Sequence, residues 1–327
     1  MSEHPAIKTV VERIHADAIG GAADIAKEVV QALALLSGDS SANSVDAYIS
    51  EIMDAVRDIL SVTPSFAPPI NAMHRLLGRV EAANKPGASV AELQAEIKGG
   101  SDDFFAWAED ALDRVAQYGA ETISDGDVVF MYSMSSTVWR IFKKARAAGK
   151  SFEVIVTESR PGNEGLWTVN EMHKYGIPVS VSIDANVGEL VPRSDAVFVG
   201  ADAISSDGES FEKVGTYPTA LVAKAHGVPF YVAADSLKFD SSTLLGLPFR
   251  GEPIPRGDVL SDEYPAEVAV VGDLFEPVPP DLVTALITEL GLLSPTVVVS
   301  VMWQMKLSDS LNELIPAWAR GELRSHD

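Results

Sequence analysis

Cysteine is absent from all 327 residues, which excludes a disulfide framework and any thiolate nucleophile. Long apolar runs are absent too. No stretch approaches the roughly 18 residues a bilayer-spanning helix needs, and the polar opening Met1–Thr9 lacks the apolar segment of a secretory signal. Cations are scarce: 25 Lys and Arg stand against 47 Asp and Glu, a net charge of −22. Such a balance opposes DNA, RNA and anionic membranes as partners. A small phosphorylated substrate stays open, because a few local donors outweigh a distant field at short range. A solvated, acid-rich surface of the kind salt-adapted proteins carry accounts for the acidity. Several signatures are missing as well: no GxGxxG, Walker A loop, HExxH or GxSxG occurs. The six histidines (4, 15, 74, 173, 226 and 326) form no ligand-spaced pair. These absences lead us to expect a cytoplasmic protein with no cofactor, no metal, no nucleic-acid partner and no membrane anchor.

The chain has the length for two cooperating domains and, at 46% apolar residues, the material for a sizeable core. Residues 1–124 read as a helical domain. Val10 and Ile14, then Ile25, Val29, Val30, Leu33 and Leu36, then Ile52, Val56, Ile59 and Leu60 recur at helical spacing. Breaks are expected at Gly20-Gly21, Gly38-Asp39, Pro64 to Pro69 and Gly99-Gly100. A further helix covers Asp102 to Tyr118.

After Asp125-Gly126 the pattern changes to short β-branched runs: 128–130, 154–156, 179–181, 196–199, 230–232 and 268–271. Helical stretches such as Thr137 to Ala148, Leu166 to Lys174 and Tyr217 to Ala225 alternate with them. Residues 125–327 therefore read as a Rossmann-like α/β domain with a mostly parallel sheet. The whole is an α/β protein with an N-terminal helical domain. Ligands of such sheets sit beyond the carboxyl ends of the strands, which directs attention to the residues that follow each strand. The Pro- and Gly-rich stretch from Phe239 to Tyr264 reads as a long loop, either functional or a plain excursion.

After the first strand stand Ser133, Ser135, Ser136 and Thr137. They serve as helix caps, or as an anion site at a helix N-terminus. After the second comes Arg160, able to fork onto a phosphate or to pair with a neighbouring acid such as Glu158. Asp184 follows the third. Asp202 follows the fourth, as a turn cap or as a general acid or base. Lys213 precedes a helix start and Lys238 follows the strand at 230, both suited to an anion. Converging lysines, an Arg, an Asp and hydroxyls point to a phosphorylated polyol.

These strings, Thr157-Glu158-Ser159-Arg160-Pro161 with Gly165, Val199-Gly200-Ala201-Asp202, Lys213-Val214-Gly215-Thr216 and Ala233 through Phe239, resemble the sugar-phosphate isomerases related to the alpha, beta and delta subunits of initiation factor 2B. Order and spacing hold over roughly residues 125 to 290; the helical half is similar in outline. The resemblance implies an isomerase that turns an aldose 1-phosphate into a ketose phosphate by moving hydrogen from C2 to C1. Asp202 then matches the family's acid/base. The family's catalytic Cys falls on Ser133, a poorer base than a thiol, so proton removal would pass to Tyr132 or a bound water. Ser135, Arg160, Lys213 and Lys238 match substrate-binding positions, as do Gly21 and Ala22 in the first helical hairpin. The family's two phosphate-holding arginines are replaced, one within Gly20-Gly21-Ala22 and one at Thr63-Pro64, and its Asn before the lysine is Glu212. Together these changes imply a different or less charged ligand. Three readings follow: a divergent isomerase of a sugar or sugar phosphate, a non-catalytic binder of sugar phosphates or nucleotides like the initiation factor subunits, or a structural subunit. By the same resemblance we expect a homodimer or homohexamer. The apolar tail (Val301, Met302, Trp303, Met305, Leu307, Leu314, Ile315 and Trp318) either forms that interface or packs on its own domain.

Overall fold

A computed structural model describes residues 3–319 apart from 17, 20, 65, 248 and 250. It contains two compact units that exchange segments along the chain. One comprises Met1–Glu109, Leu237–Phe249 and Val301–Asp327; the other comprises Asp110–Ser236 and Arg250–Ser300.

The first unit is helical, with α1 (Pro5–His15), α2 (Ala22–Asp39), α3 (Val45–Val62), α4 (Ala67–Ala83) and the first half of α5 (Val90–Glu121). Local chemistry fixes the starts. His4 accepts from the Ala6 N–H, with Pro5 in the first turn of α1, and Ser44 caps α3 by accepting from the Ala47 N–H at 3.2 Å. The recurring apolar residues do form the buried faces: Val29, Val30, Leu33, Leu36, Ile52, Val56, Ile59 and Leu60 are all at most 1% exposed. Burying each such side chain contributes about 1.5–3 kcal/mol.

Gly99-Gly100, expected to break a helix, lies inside α5 instead. A Cβ on Gly100 would press on Leu76 and on the Arg79 side chain of α4. The glycine therefore serves a close helix–helix approach rather than a turn. Arg79 clasps that contact through Glu96 at 3.0 Å and Asp103 at 2.6 Å.

In the second unit the described residues build a seven-stranded sheet. Its strands are β1 (Val128–Met131), β2 (Glu153–Thr157), β3 (Val179–Ser182), β4 (Ala196–Gly200), β7 (Phe230–Ala233), β9 (Ala285–Thr288) and β10 (Gly291–Leu293), in the order β10-β9-β7-β4-β1-β2-β3. All neighbours are parallel except the hairpin partner β10. A small antiparallel sheet joins β5 (Ala203–Ile204), β6 (Ser210–Lys213) and β8 (Phe275–Val278). The helices of this unit include α6 (Ser136–Ala147), α7 (Gly165–Lys174), the short α8 (Val187–Leu190) and α9 (Thr216–His226).

The run 268–271 is not a strand. Val268 and Val271 are 43% and 84% exposed, and the sheet position expected for them is filled by β9, whose Leu286 and Ile287 are fully buried. A β-branched run with no partner edge to pair with gains nothing from its intrinsic preference. The described residues between Phe239 and Tyr264 are mostly irregular, with 3-10 turns at Ser241–Leu245 and Arg256–Asp258.

The C-terminal segment continues through α10 (Val298–Met302) to α11 (Asp309–Ala319). Leu311 and Ile315 join the core of the helical unit, whereas Trp303 is 74% exposed. Gly20, the Trp318 side chain and the tail beyond Ala319 lie outside the described residues.

Candidate functional site

The strand order fixes where a site belongs in the sheet unit. The chain leaves β1 toward β2 on one side and later returns through β4 on the other, so the direction of winding reverses between β1 and β4. Connections diverge there, opening a cleft at the carboxyl edge. β1 and β4 pair in register, Met131 against Phe198. Their carboxyl ends lead directly into Tyr132-Ser133 and Ala201-Asp202.

The Ser133 turn is held by a relay of side chains. Ser133 adopts φ +60°, and Ser159, at φ +59°, does the same one strand away. A left-handed conformation is unfavourable for a residue with a Cβ, at about 1–3 kcal/mol. Asp184 anchors the second turn by accepting the backbone N–H groups of Ser159 and Arg160, both at 2.8 Å. Ser159 Oγ in turn accepts the Ser133 N–H at 2.8 Å. The Asp184 carboxylate thus organises the serine turn through two hydrogen bonds in series. Ser135 is the N-cap of α6, accepting the Val138 N–H at 3.3 Å.

Tyr132 is 3% exposed and donates its phenol proton to the Val214 carbonyl at 3.0 Å. Burial holds that proton well above the usual tyrosine range, and the charges of Asp184, Glu276, Glu164 and Glu158 reinforce it. Tyr132 is therefore a fixed donor, and the expectation that it takes over proton removal does not suit this geometry. Gly215 makes the packing possible. It stands at φ +100°, and a Cβ there would collide with the Tyr132 ring and hydroxyl.

Asp202 is half-buried just before β5, its N–H bonded to the Phe211 carbonyl at 2.9 Å, so the β5–β6 hairpin fixes its backbone. Glu212, on the next residue of β6, is 2% exposed, and neither carboxyl oxygen has a hydrogen-bond partner. Burial pushes this carboxyl well above its ordinary range. Ser210 lies near enough to offset a little of that rise, though its hydroxyl makes no bond of normal geometry, while Asp202 and Glu276 add to it. Glu276 sits directly across the ladder from Glu212 and accepts the N–H groups of Gly215 and Tyr217 at 2.7 and 2.8 Å. A chain carboxylate thereby occupies the N-terminus of α9.

The cations singled out from the sequence are committed in ways the sequence did not reveal. Lys213 Nζ is 2.7 Å from Glu164 Oε1, with its side chain 10% exposed. Exposed Arg160 donates to the Asp258 carbonyl at 3.0 Å. Lys238 ends a 3-10 turn in the helical unit. So do two further expected binding residues belong to that unit: Gly21, the N-cap of α2 at φ +106°, and buried Ala22. Ser133, Ser135, Arg160, Asp202 and Lys213 all belong to the sheet unit. Sequence reasoning missed Glu164 and Glu276 altogether and treated Glu212 only as a departure. An acid immediately beside a strand-end lysine was the available signal.

An α/β protein with hydroxyls and carboxyls at the switch point of a mostly parallel sheet is the class these features define. Within that class, a sequence model of the initiation factor 2 subunit family matches residues 18–295, and the chain belongs to this family. It is 31% identical to ribose 1,5-bisphosphate isomerase of Thermococcus kodakarensis over 309 residues, covering 92% of this chain and 96% of that one. It is 32% identical over 287 residues to a putative translation initiation factor eIF-2B subunit 2-like protein of Pyrococcus furiosus, covering 88% and 95%. Among solved structures, the Pyrococcus horikoshii OT3 translation initiation factor eIF-2B superimposes with a TM-score of 0.71 at 30% identity, over 89% of this chain and 98% of that one. The 5-methylthioribose 1-phosphate isomerase of the same organism shares the fold, with a TM-score of 0.71 at 23% identity over 91% and 87%. Among the described residues no helix is long and apolar enough to cross a membrane.

Proposed function

We propose that the chain is an aldose–ketose isomerase acting on a sugar or sugar phosphate, with Asp202 as its acid/base. The observation that carries the reading is the position of Asp202, on a hairpin-fixed backbone at the end of β4 and beside the switch point, in a chain whose relatives include ribose 1,5-bisphosphate isomerases. In such a reaction one hydrogen moves from C2 to C1. The C2 carbinol becomes a ketone, C1 (the aldehyde of an opened free sugar, or the carbon that keeps its phosphate in an aldose 1-phosphate) takes the hydrogen and becomes a CH2 group, and no outside oxidant or reductant enters. Asp202 supplies or removes a proton on the sugar oxygens as the ring opens. Ser133 stands where the resemblance puts a thiol. Held by Ser159 and lacking a neighbouring base in sequence, it serves as a hydrogen-bond partner to the substrate rather than as a nucleophile. We further propose a homodimer or homohexamer. Leu292, exposed on the edge strand β10, supports an apolar contact, and sedimentation velocity distinguishes the two from a monomer.

The missing cysteine favours a second reading, a regulatory sugar-phosphate or nucleotide binder, in keeping with the eIF-2B subunit 2-like relatives. The full-length protein incubated with aldoses and aldose 1-phosphates, with ketose formation followed by NMR, separates the two. Ketose formation is the expected result. Binding without conversion of any aldose would assign the chain to the binder class. Ser133→Cys is expected to confer no activity on ribose 1,5-bisphosphate, because the donors for a second phosphate are absent at Gly20 and Thr63; a gain would show that only the thiol had been lost.

A further inference from the structure

Among the described residues, three that are not glycine adopt a left-handed φ: Ser133 at +60°, Ser159 at +59° and Asn163 at +58°. All three lie in two neighbouring turns, those that follow the paired strands β1 and β2. Backbone strain of this kind persists only where the surroundings over-determine it, and it gathers where a turn has a task. A turn without one would relax or carry glycine.

Both backbone polar groups of Ser133 are engaged by side chains. Its N–H is donated to Ser159 Oγ at 2.8 Å, and that hydroxyl donates in turn to the Thr157 carbonyl at 3.4 Å. Asp184 holds the Ser159 N–H, and the Asn163 N–H closes the second turn onto the Ser159 carbonyl at 3.0 Å. Gly165 seals the packing, since a Cβ there would overlap the Thr157 carbonyl and press on Ser159 Oγ. On the other side, Thr168 Oγ1 lies 3.5 Å from the Ser133 carbonyl oxygen and accepts the Trp139 indole N–H at 3.0 Å. Ser159 and Thr168 are fully buried, whereas Ser133 is only half-buried. A ligand at the strand ends therefore reaches Ser133 but not the side chains that hold it.

We propose that Ser159, Asp184 and Thr168 are positioning residues, holding Ser133 in its strained turn so that its hydroxyl is preset for a sugar. The inference rests on the isomerase reading for the type of ligand, but its first test needs no ligand. Hydrogen exchange at the Ser133 amide is followed by heteronuclear NMR in the full-length parent, Ser159→Gly, Asp184→Asn, Thr168→Val and Thr168→Ser. Ser159→Gly removes the acceptor at a φ that glycine adopts freely, so it keeps the test open if another variant misfolds. Melting curves confirm which variants are folded. Exchange at Ser133 is expected to quicken at least about tenfold in Ser159→Gly and Asp184→Asn. On the aldose that the parent converts, kcat of the folded variants should fall about ten- to a hundredfold, with KM changed less. Thr168→Ser, which keeps the hydroxyl, should recover most of what Thr168→Val loses. Unaltered exchange at Ser133 would overturn the inference, as would folded variants that turn over like the parent. If the parent binds an aldose or aldose 1-phosphate without converting it, the isomerase reading alone falls. The dissociation constant then decides: weakening by about tenfold or more in Ser159→Gly supports the inference, and equal affinity overturns it.

Discussion

Glu212 holds a carboxyl where neither water nor a protein donor reaches it. Burial, with the nearby charges of Asp202 and Glu276, disfavours its ionised form and raises its pKa well above the ordinary range. The consequence for stability has a definite sign. A carboxyl whose folded value lies above its unfolded value, near 4.5, favours the folded state most at and below that pH. It loses that contribution as pH rises toward the folded value. Glu212→Gln removes the titration, so in urea unfolding it should be more stable than the parent at pH 8, by roughly 1–3 kcal/mol, with the gap closing toward pH 4.5. A gap that widens on acidification would show that Glu212 is ionised in the native protein.

At the scale of elements, α11 is tied down by two residues of α4. Glu81 accepts from the Ser308 hydroxyl at 2.7 Å and from the N–H groups of Asp309 and Ser310 at 3.1 and 3.0 Å. His74 Nδ1 accepts the Ser308 N–H at 3.0 Å, which places the ring proton on Nε2. Burial lowers the His74 pKa to about 4, against a smaller raising effect of Glu81. The neutral ring thus contributes stability above its ordinary value of 6.5 that is lost as pH falls to about 4, up to roughly 3 kcal/mol. His74→Asn keeps an acceptor for Ser308 but cannot titrate. It should be less stable than the parent at pH 7.5 and show a flatter profile between pH 6.5 and 4 in the same urea experiment. Glu81→Ala should cost about 1–2 kcal/mol by removing the cap of α11, and an unchanged melting temperature would argue against that role.

How far these elements can be read from the sequence depends on how local their causes are. The α2 and α3 faces and the strands β1, β2, β4 and β7 follow from periodicity, because each repeats its pattern within its own length. The continuity of α5 through Gly99-Gly100 depends on Leu76 and Arg79 of another helix, and the preference for β9 over 268–271 depends on which run reaches β7. Neither cause is adjacent in sequence. The same holds at the site. Strand-end positions disclosed Ser133, Arg160, Asp202 and Lys213 as candidates, but the acids that engage or surround them, Glu164, Asp184, Glu212 and Glu276, act across turns and ladders. Only the fold pairs Lys213 with Glu164, 49 positions away.

For the whole molecule, a net charge of −22 means self-repulsion that ions screen. The melting temperature should rise between about 0.05 and 0.5 M salt, where the screening length shortens from roughly 14 to 4 Å; a fall would mean that attractive pairs such as Arg79–Glu96 dominate. The family likeness supplies the fold, but function rests on the site, and there the chain sets Asp202 after β4, near a serine turn at the end of β1 and the buried carboxyl of Glu212. The most direct test of isomerisation through Asp202 is the turnover of Asp202→Asn against the parent, on whichever aldose the parent converts, with binding measured in parallel. The account predicts a loss of about a hundredfold or more in turnover with binding affinity changed by less than about tenfold. Equal turnover in the variant, or no conversion by a parent that binds its sugar, would contradict it.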